Sequence, residues 1–184
     1  MSDLTKKAIA FAFKDLLLEK PMSKITITDI TNKCGINRQT FYYHFLDLPD
    51  LVEWICLEDA DDALKNNKTY DTWQEGFLSI FELIKKDKPF ILNIYHNVSL
   101  EILENYLYRL VYPLLLNVVK EKAKGYTVRD EDLEFIANFY KYAFVGIVLN
   151  WIKTDLKEEP KEIVNRVSDL TSGTIEHALN NCKH

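Results

Sequence analysis

Residues 25–45, ITITDITNKCGINRQTFYYHF, constrain this chain more than any other stretch. Thr26 is placed to cap a helix, and Asp29 three residues on completes a capping box around Ile27 and Ile30. The pattern stops at Cys34-Gly35, where glycine takes up a left-handed turn without steric cost. Asn37 then caps a second helix, Arg38 to Phe45, with Phe41 and Phe45 on one face as core. Two short helices joined through a glycine turn describe a helix-turn-helix, although a structural αα-hairpin has the same outline. The second helix presents Arg38, Gln39, Thr40, Tyr42, Tyr43 and His44. Arg pairs bidentately with guanine, Gln pairs with adenine, and a Thr methyl meets thymine, so this set suits the edges of bases in a major groove. Thr26 and Thr28 open the preceding helix and suit phosphate, through their hydroxyls and the helix N-terminus.

Charge has to be split along the chain before it bears on DNA. The net value of −5 is wrong in sign for a nucleic-acid binder. Residues 1–50 carry seven Lys/Arg against six Asp/Glu, and residues 51–184 carry sixteen against twenty-two. The acidity therefore belongs to the rest of the chain, while the head has only a weak positive field. With 47% hydrophobic residues and five glycines and five prolines, the composition suits a mostly helical, soluble protein with a real core. No apolar run approaches the roughly 18 residues of a membrane span, and the N-terminus lacks a signal-peptide core. Three cysteines, Cys34, Cys56 and Cys182, have neither metal nor disulfide spacing, which suggests reduced thiols in the cytoplasm.

GINRQTFYYHF, preceded by ITITDIT and followed by LPDLVEWI, resembles the DNA-binding domain of TetR-family transcriptional regulators. The resemblance covers roughly the first third of the chain. It implies that Tyr42 and His44 hold phosphates and that Tyr43 touches a phosphate or a base. The family commonly places a phosphate-binding Lys at the start of the next helix. Here Leu48 or Pro49 stands instead, which puts one expected backbone contact in doubt. The segment WIKTDLKEEPKEIV is similar to the end of the family's core domain, where the last two long helices of each subunit form a four-helix bundle across a two-fold axis. The core half also resembles the Gram-positive dihydroxyacetone-kinase regulator branch, in which the effector is a partner protein and the outcome is activation.

Outside the motif, helical periodicity runs throughout and no strand-length alternation appears. A first helix over Thr5–Glu19 buries Ala8, Ile9, Ala12, Phe13, Leu16 and Leu17; Lys6 and Lys7 opposite read as solvated, with phosphate contact as the alternative. Asp47 caps a helix from Pro49 to about Leu64 whose run Glu58-Asp59-Ala60-Asp61-Asp62 reads as a solvated acidic face, not a metal site. Residues 66–71 read as a loop. Further helices begin at Thr72, Pro89, Ser99, Asp130 and Pro160, the last reaching about Asn180; Pro113 predicts a kink near Arg109. The expected fold is all-α, about nine helices: a helix-turn-helix head over residues 1–47 and a helical sensing and dimerisation domain over 48–184.

The family resemblance implies a ligand cavity among the helices of the second part, whose aromatic residues at helical spacing otherwise read as plain packing. Candidates for a cavity are Phe77, Phe81, Phe90, Tyr95, Tyr108, Phe139 and Tyr140, with His96 as the polar group; His177 and His184 read as surface or tail. Phe135, Phe139, Tyr142, Ala143 and Gly146, with Val167 and Leu170, form the expected dimer face, the small residues permitting close helix approach. There is no HExxH, nucleophile elbow, phosphate loop or CxxC, so no enzyme, metal or cofactor is expected. The reading is a homodimeric regulator, expected to repress, that binds a palindromic double-stranded DNA operator and answers to a small-molecule or protein effector. The rival is an acidic helical protein-interaction module with weak DNA binding of its own.

Overall fold

In the computed structural model, which describes residues 2–64 and 69–182, the chain forms ten α-helices and two 3-10 turns, with no strand among the described residues. The helices are α1 (Ser2–Glu19), α2 (Ile27–Cys34), α3 (Arg38–His44), α4 (Leu48–Leu64), α5 (Trp73–Lys86), α6 (Lys88–Asn97), α7 (Leu100–Lys122), α8 (Asp130–Lys153), α9 (Pro160–Thr171) and α10 (Thr174–Asn181). The expected last helix is divided because Gly173 adopts φ 72°, which gives one helix more than the periodicity suggests. α7 continues through Pro113, which lies on its exposed side. Residues 66–68 of the loop read over 66–71, and the tail residue His184, lie outside the described residues.

Two compact units form, Met1–Asp59 with Asp87–Leu103, and Ala60–Lys86 with Glu104–His184. The unit that holds residues 1–47 is thus larger than that segment: it runs on to Asp59 and takes in α6. Its core is Ile9, Phe13, Leu16, Leu17, Ile30, Phe41, Phe45, Leu51, Val52 and Ile55, all buried. Ala8, expected inside, is exposed, while Ala10 and Ala12 are buried. Three kinds of contact stitch α6 to the head. Phe90 packs edge-on against Phe13 at 6.5 Å. Asn93 accepts the Met22 N–H at 3.0 Å and donates to the Leu17 carbonyl at 3.4 Å. Lys14 reaches Asp59 on α4 and Asp87 ahead of α6, each at 2.7 Å, with its ammonium over the Phe90 ring. Burial works to lower the pKa of Lys14, but hydrogen bonds and charge from Asp59 and Asp87 outweigh it and hold it above the ordinary lysine value. Desolvation, reinforced by nearby Asp59, pushes the Cys56 thiol up to about 12.

The second unit is built on α8. Phe144 stacks with Trp73, Phe77 and Tyr140, and Phe81 packs between Phe77 and Trp151. By length and composition alone α8 could cross a bilayer. Its apolarity divides between a buried face, including Ile136, Ala137, Tyr140, Val148 and Trp151, and an exposed line through Phe135, Phe139 and Tyr142. The chain leaves α8 through two consecutive left-handed residues, Asp155 (φ 63°) and Leu156 (φ 57°). An aspartate tolerates this conformation and a leucine ordinarily does not. Leu156 is held there by its N–H bond to the Trp151 carbonyl at 3.0 Å and by burial of its side chain.

Candidate nucleic-acid interface

The local code of residues 26–45 folds as the sequence dictates. Thr26 Oγ1 accepts the Asp29 N–H at 3.2 Å and the Asp29 carboxylate accepts the Thr26 N–H at 2.8 Å, a complete capping box. Lys20 adds an ion pair to Asp29 at 2.9 Å, and these donors hold its carboxyl at about 2, well below the usual aspartate range. Gly35 closes α2 at φ 69°, a conformation that a side chain would strain. Asn37 Oδ1 then accepts the Thr40 N–H at 2.8 Å and starts α3.

With Phe41 fully buried and Phe45 beside it, α3 turns its other face outward. Arg38, Gln39, Tyr42 and Tyr43 are exposed, and Tyr43 is 82% exposed. Thr26 and Thr28 are exposed at the start of α2. Arg38 donates to the Tyr42 hydroxyl at 3.3 Å and lies over that ring, so the two side chains are presented together. Thr40 is half-buried and its hydroxyl is committed to Asn37 at 3.0 Å, which leaves its methyl for contact. His44 is half-buried and edge-on to Tyr43 at 4.9 Å.

Most lysines near this face are already neutralised inside the head. Lys7 pairs with Asp3, Lys14 with Asp59 and Asp87, Lys20 with Asp29, and Lys33 with Asp15 and Glu19. Lys6 lies over the rings of Phe45 and Trp54 at 5.6 and 5.5 Å, directly behind the end of α3. Its position over these rings was not legible in the sequence, where Phe45 and Trp54 lie far along the chain from it.

The aromatic set of the other candidate site is dispersed. Phe77 lines a cavity of ≈ 60 Å³ with Ile80, Leu114 and Phe144, and Tyr140 lines one of ≈ 100 Å³ with Trp73, Gln74 and Ser168. Both volumes are small beside the roughly 300–1,000 Å³ of typical small-molecule sites. Phe81 is fully buried packing. Phe90, Tyr95 and His96 are on α6 and belong to the head unit, with His96 exposed. Phe139 lines neither of these two cavities; it points outward. Tyr108 instead joins Tyr112 and Tyr142 around the Lys141 ammonium at 4.8, 5.4 and 4.4 Å. Helical periodicity separates apolar from polar faces but does not tell a void from a packed neighbour, and it is silent on which unit claims a helix.

The expected dimer residues fare differently. Phe135, Phe139 and Tyr142 are 75%, 64% and 56% exposed, and Ala143 and Gly146 continue the line along α8. A Cβ built on Gly146 meets nothing within 4 Å. Leu170 is exposed on α9, but Val167 is buried in the protomer's own core and is not available to a second chain.

Comparison with known proteins agrees over most of this length. A TetR C-terminal family model, described as "Transcriptional regulator C-terminal region", matches residues 71–173. The chain is 28% identical over 152 residues to the HTH-type dhaKLM operon transcriptional activator DhaS of Lactococcus lactis subsp. lactis (strain IL1403), covering 79% of this chain and 78% of that one. It is 29% identical over 105 residues to the HTH-type transcriptional regulator AlkX of Mycobacterium tuberculosis (strain ATCC 25618 / H37Rv), 52% of this chain and 49% of that protein. The solved structure of a dihydroxyacetone kinase operon activator DhaS superposes with a TM-score of 0.69 at 25% identity, over 94% of this chain and 96% of the other.

Proposed function

The chain belongs to the TetR family of DNA-binding transcriptional regulators, and from that premise we propose that it acts in the cytoplasm as a homodimer reading a palindromic operator. Arg38 and Gln39 contact base edges and the Thr40 methyl packs against them, while Thr26, Thr28, Tyr42, Tyr43 and His44 hold phosphates and flanking bases. The observation that carries this is the outward, donor-rich face of α3 set against a fully buried Phe41. Two heads related by a two-fold axis meet half-sites about one helical turn apart, roughly 34–36 Å. The α8 line through Phe135, Phe139, Tyr142, Ala143 and Gly146, together with Leu170, supplies the dimer contact. Few unpaired cations reach the backbone, so hydroxyls, helix N-termini and Lys6 do much of the phosphate binding, and the salt dependence is shallow.

Occupation of the operator represses, and an effector changes occupancy to the extent that it prefers one conformation of the dimer. A second reading, activation on engagement of a protein effector, is favoured by two observations: the small volumes of the two cavities that Phe77 and Tyr140 line, and the activator named among the relatives. Footprinting on the DNA upstream of its own gene, over a range of salt, tests the head. A protected palindrome with the stated spacing is expected, and no protection at low salt would remove the operator reading. Deleting the gene then decides the sign: neighbouring transcripts rise for a repressor and fall for an activator.

A further inference from the structure

We propose that the outward face of α1 is a two-fold contact with α1 of a second copy of this chain, distinct from the α8 face. Leu4, Phe11 and Leu18 are 76%, 75% and 72% exposed, while Ile9, Ala12, Phe13, Leu16 and Leu17 on the other side of the helix are buried. The three are therefore not the margin of a wide core stripe. They recur every seven residues, within about 20° of two full helical turns, and so form one line roughly 21 Å long. This is the spacing with which two helices pack side by side in a left-handed pair.

The line itself points to its occupant. It is symmetric about Phe11, so a two-fold axis through that residue sets Phe11 against its own copy and Leu4 against the second copy's Leu18, in an antiparallel pair. The same axis places Lys7 opposite Asp15, each four residues from Phe11 and of opposite charge. Within the protomer Lys7 pairs with Asp3, and Asp15 with Lys33, so across the contact these become a shared network. Asp3 and Glu19 also fall opposite each other, each accompanied by its own lysine, Lys7 or Lys33. Three side chains cannot cover the roughly 1,200–2,000 Å² of a self-sufficient interface. The contact is therefore weak by itself, forms in solution at high protein concentration, and makes binding cooperative where dimers share one stretch of DNA.

Cysteine capture in the full-length chain tests the register. Under mild oxidation Phe11→Cys gives a disulfide-linked pair above the background set by the wild-type chain with its three native cysteines. Leu4→Cys alone gives none, whereas a mixture of Leu4→Cys and Leu18→Cys chains does. Sedimentation of the wild-type chain at high concentration gives a species larger than the dimer, lost in Phe11→Glu and kept in Phe11→Leu, with helical circular dichroism unchanged in both. Gly146→Trp, aimed at α8, leaves the Phe11→Cys linkage in place, which separates this contact from the dimer proposed above. Linkage of Phe11→Cys no greater than background, linkage of Leu4→Cys to itself as readily as to Leu18→Cys, or a Phe11→Glu chain that sediments as wild type would each overturn the proposal.

Discussion

In residues 26–45 both helices start on a side-chain cap, and the outward positions are polar or hydroxylated. Along α8 no side chain caps the start, and the outward positions are Phe135, Phe139 and Tyr142. The first surface suits a hydrated, charged polymer, whose groups need donors set at fixed angles. The second suits another protein surface, where apolar area removed from water supplies the free energy and geometry is more forgiving. The contrast teaches where sequence is informative: short-range hydrogen-bond codes announce themselves locally, whereas an apolar face declares only that something covers it.

The sharpest way to break this contrast is to disable the α8 face while sparing the protomer. Gly146 is exposed and a Cβ there meets nothing within 4 Å, so Gly146→Trp directs its side chain away from the protomer's core. It should fold normally yet sediment as a monomer, and apparent operator affinity should fall on the order of 10²–10⁴-fold as bivalency is lost. An unchanged dimer would move the interface elsewhere. On the other surface, Arg38→Ala should cost about 1–3 kcal/mol per half-site in DNA binding and relax the preference for one base. Its thermal midpoint should stay at the wild-type value, because Arg38 is exposed and bonds to Tyr42, itself exposed; a shift would mean that α3 depends on it structurally.

The two ends of the pH scale probe ionisable groups of the head, joined at the alkaline end by Tyr108, Tyr112 and Tyr140 of the second unit, whose pKa values burial also raises. Cys56 and Lys14 both have raised pKa values in the fold, so their contributions are fully present below the unfolded values and are lost as pH rises. Stability followed by circular dichroism should therefore decline from about pH 9 towards the folded Cys56 value of about 12. Asp29 is lowered, so its capping contribution is complete above its ordinary 3.8 and is lost as pH falls towards about 2. Asn in place of Asp29 should flatten the acid limb, and an acid limb that survives would assign it to other carboxylates. The smallest effect belongs to the second unit. Asp155→Gly should raise stability by roughly 0.5–1 kcal/mol in urea titration by relieving the left-handed backbone; an unchanged or lowered stability would show that the Asp155 side chain contributes more than the strain costs.

Legibility followed the same divide. The capping box at Thr26 and Asp29, the Gly35 turn and the Asn37 start were all readable, because each is a contact between residues a few positions apart. The exposed α8 line was readable as a period. The cavity set was not: Phe77, Phe81, Tyr140 and Phe139 have the same helical spacing, yet they line a void, fill the core or face solvent according to neighbours far along the chain. The placing of α6 was equally hidden, since Asp87, Phe90 and Asn93 meet Lys14, Phe13 and Met22 across more than seventy residues.

That placing has a consequence for anyone who would rebuild the protein. The polypeptide enters the head unit, leaves it, returns for residues 87–103 and leaves again, so its units are interleaved rather than strung in series. A chimaera that exchanges specificity by grafting a foreign segment at residue 47 would inherit α6 from the recipient. Asn93 would then seek the Met22 N–H and the Leu17 carbonyl on a surface shaped for other partners. Transplantable specificity therefore requires two cassettes, the N-terminal stretch and the α6 insert, moved together.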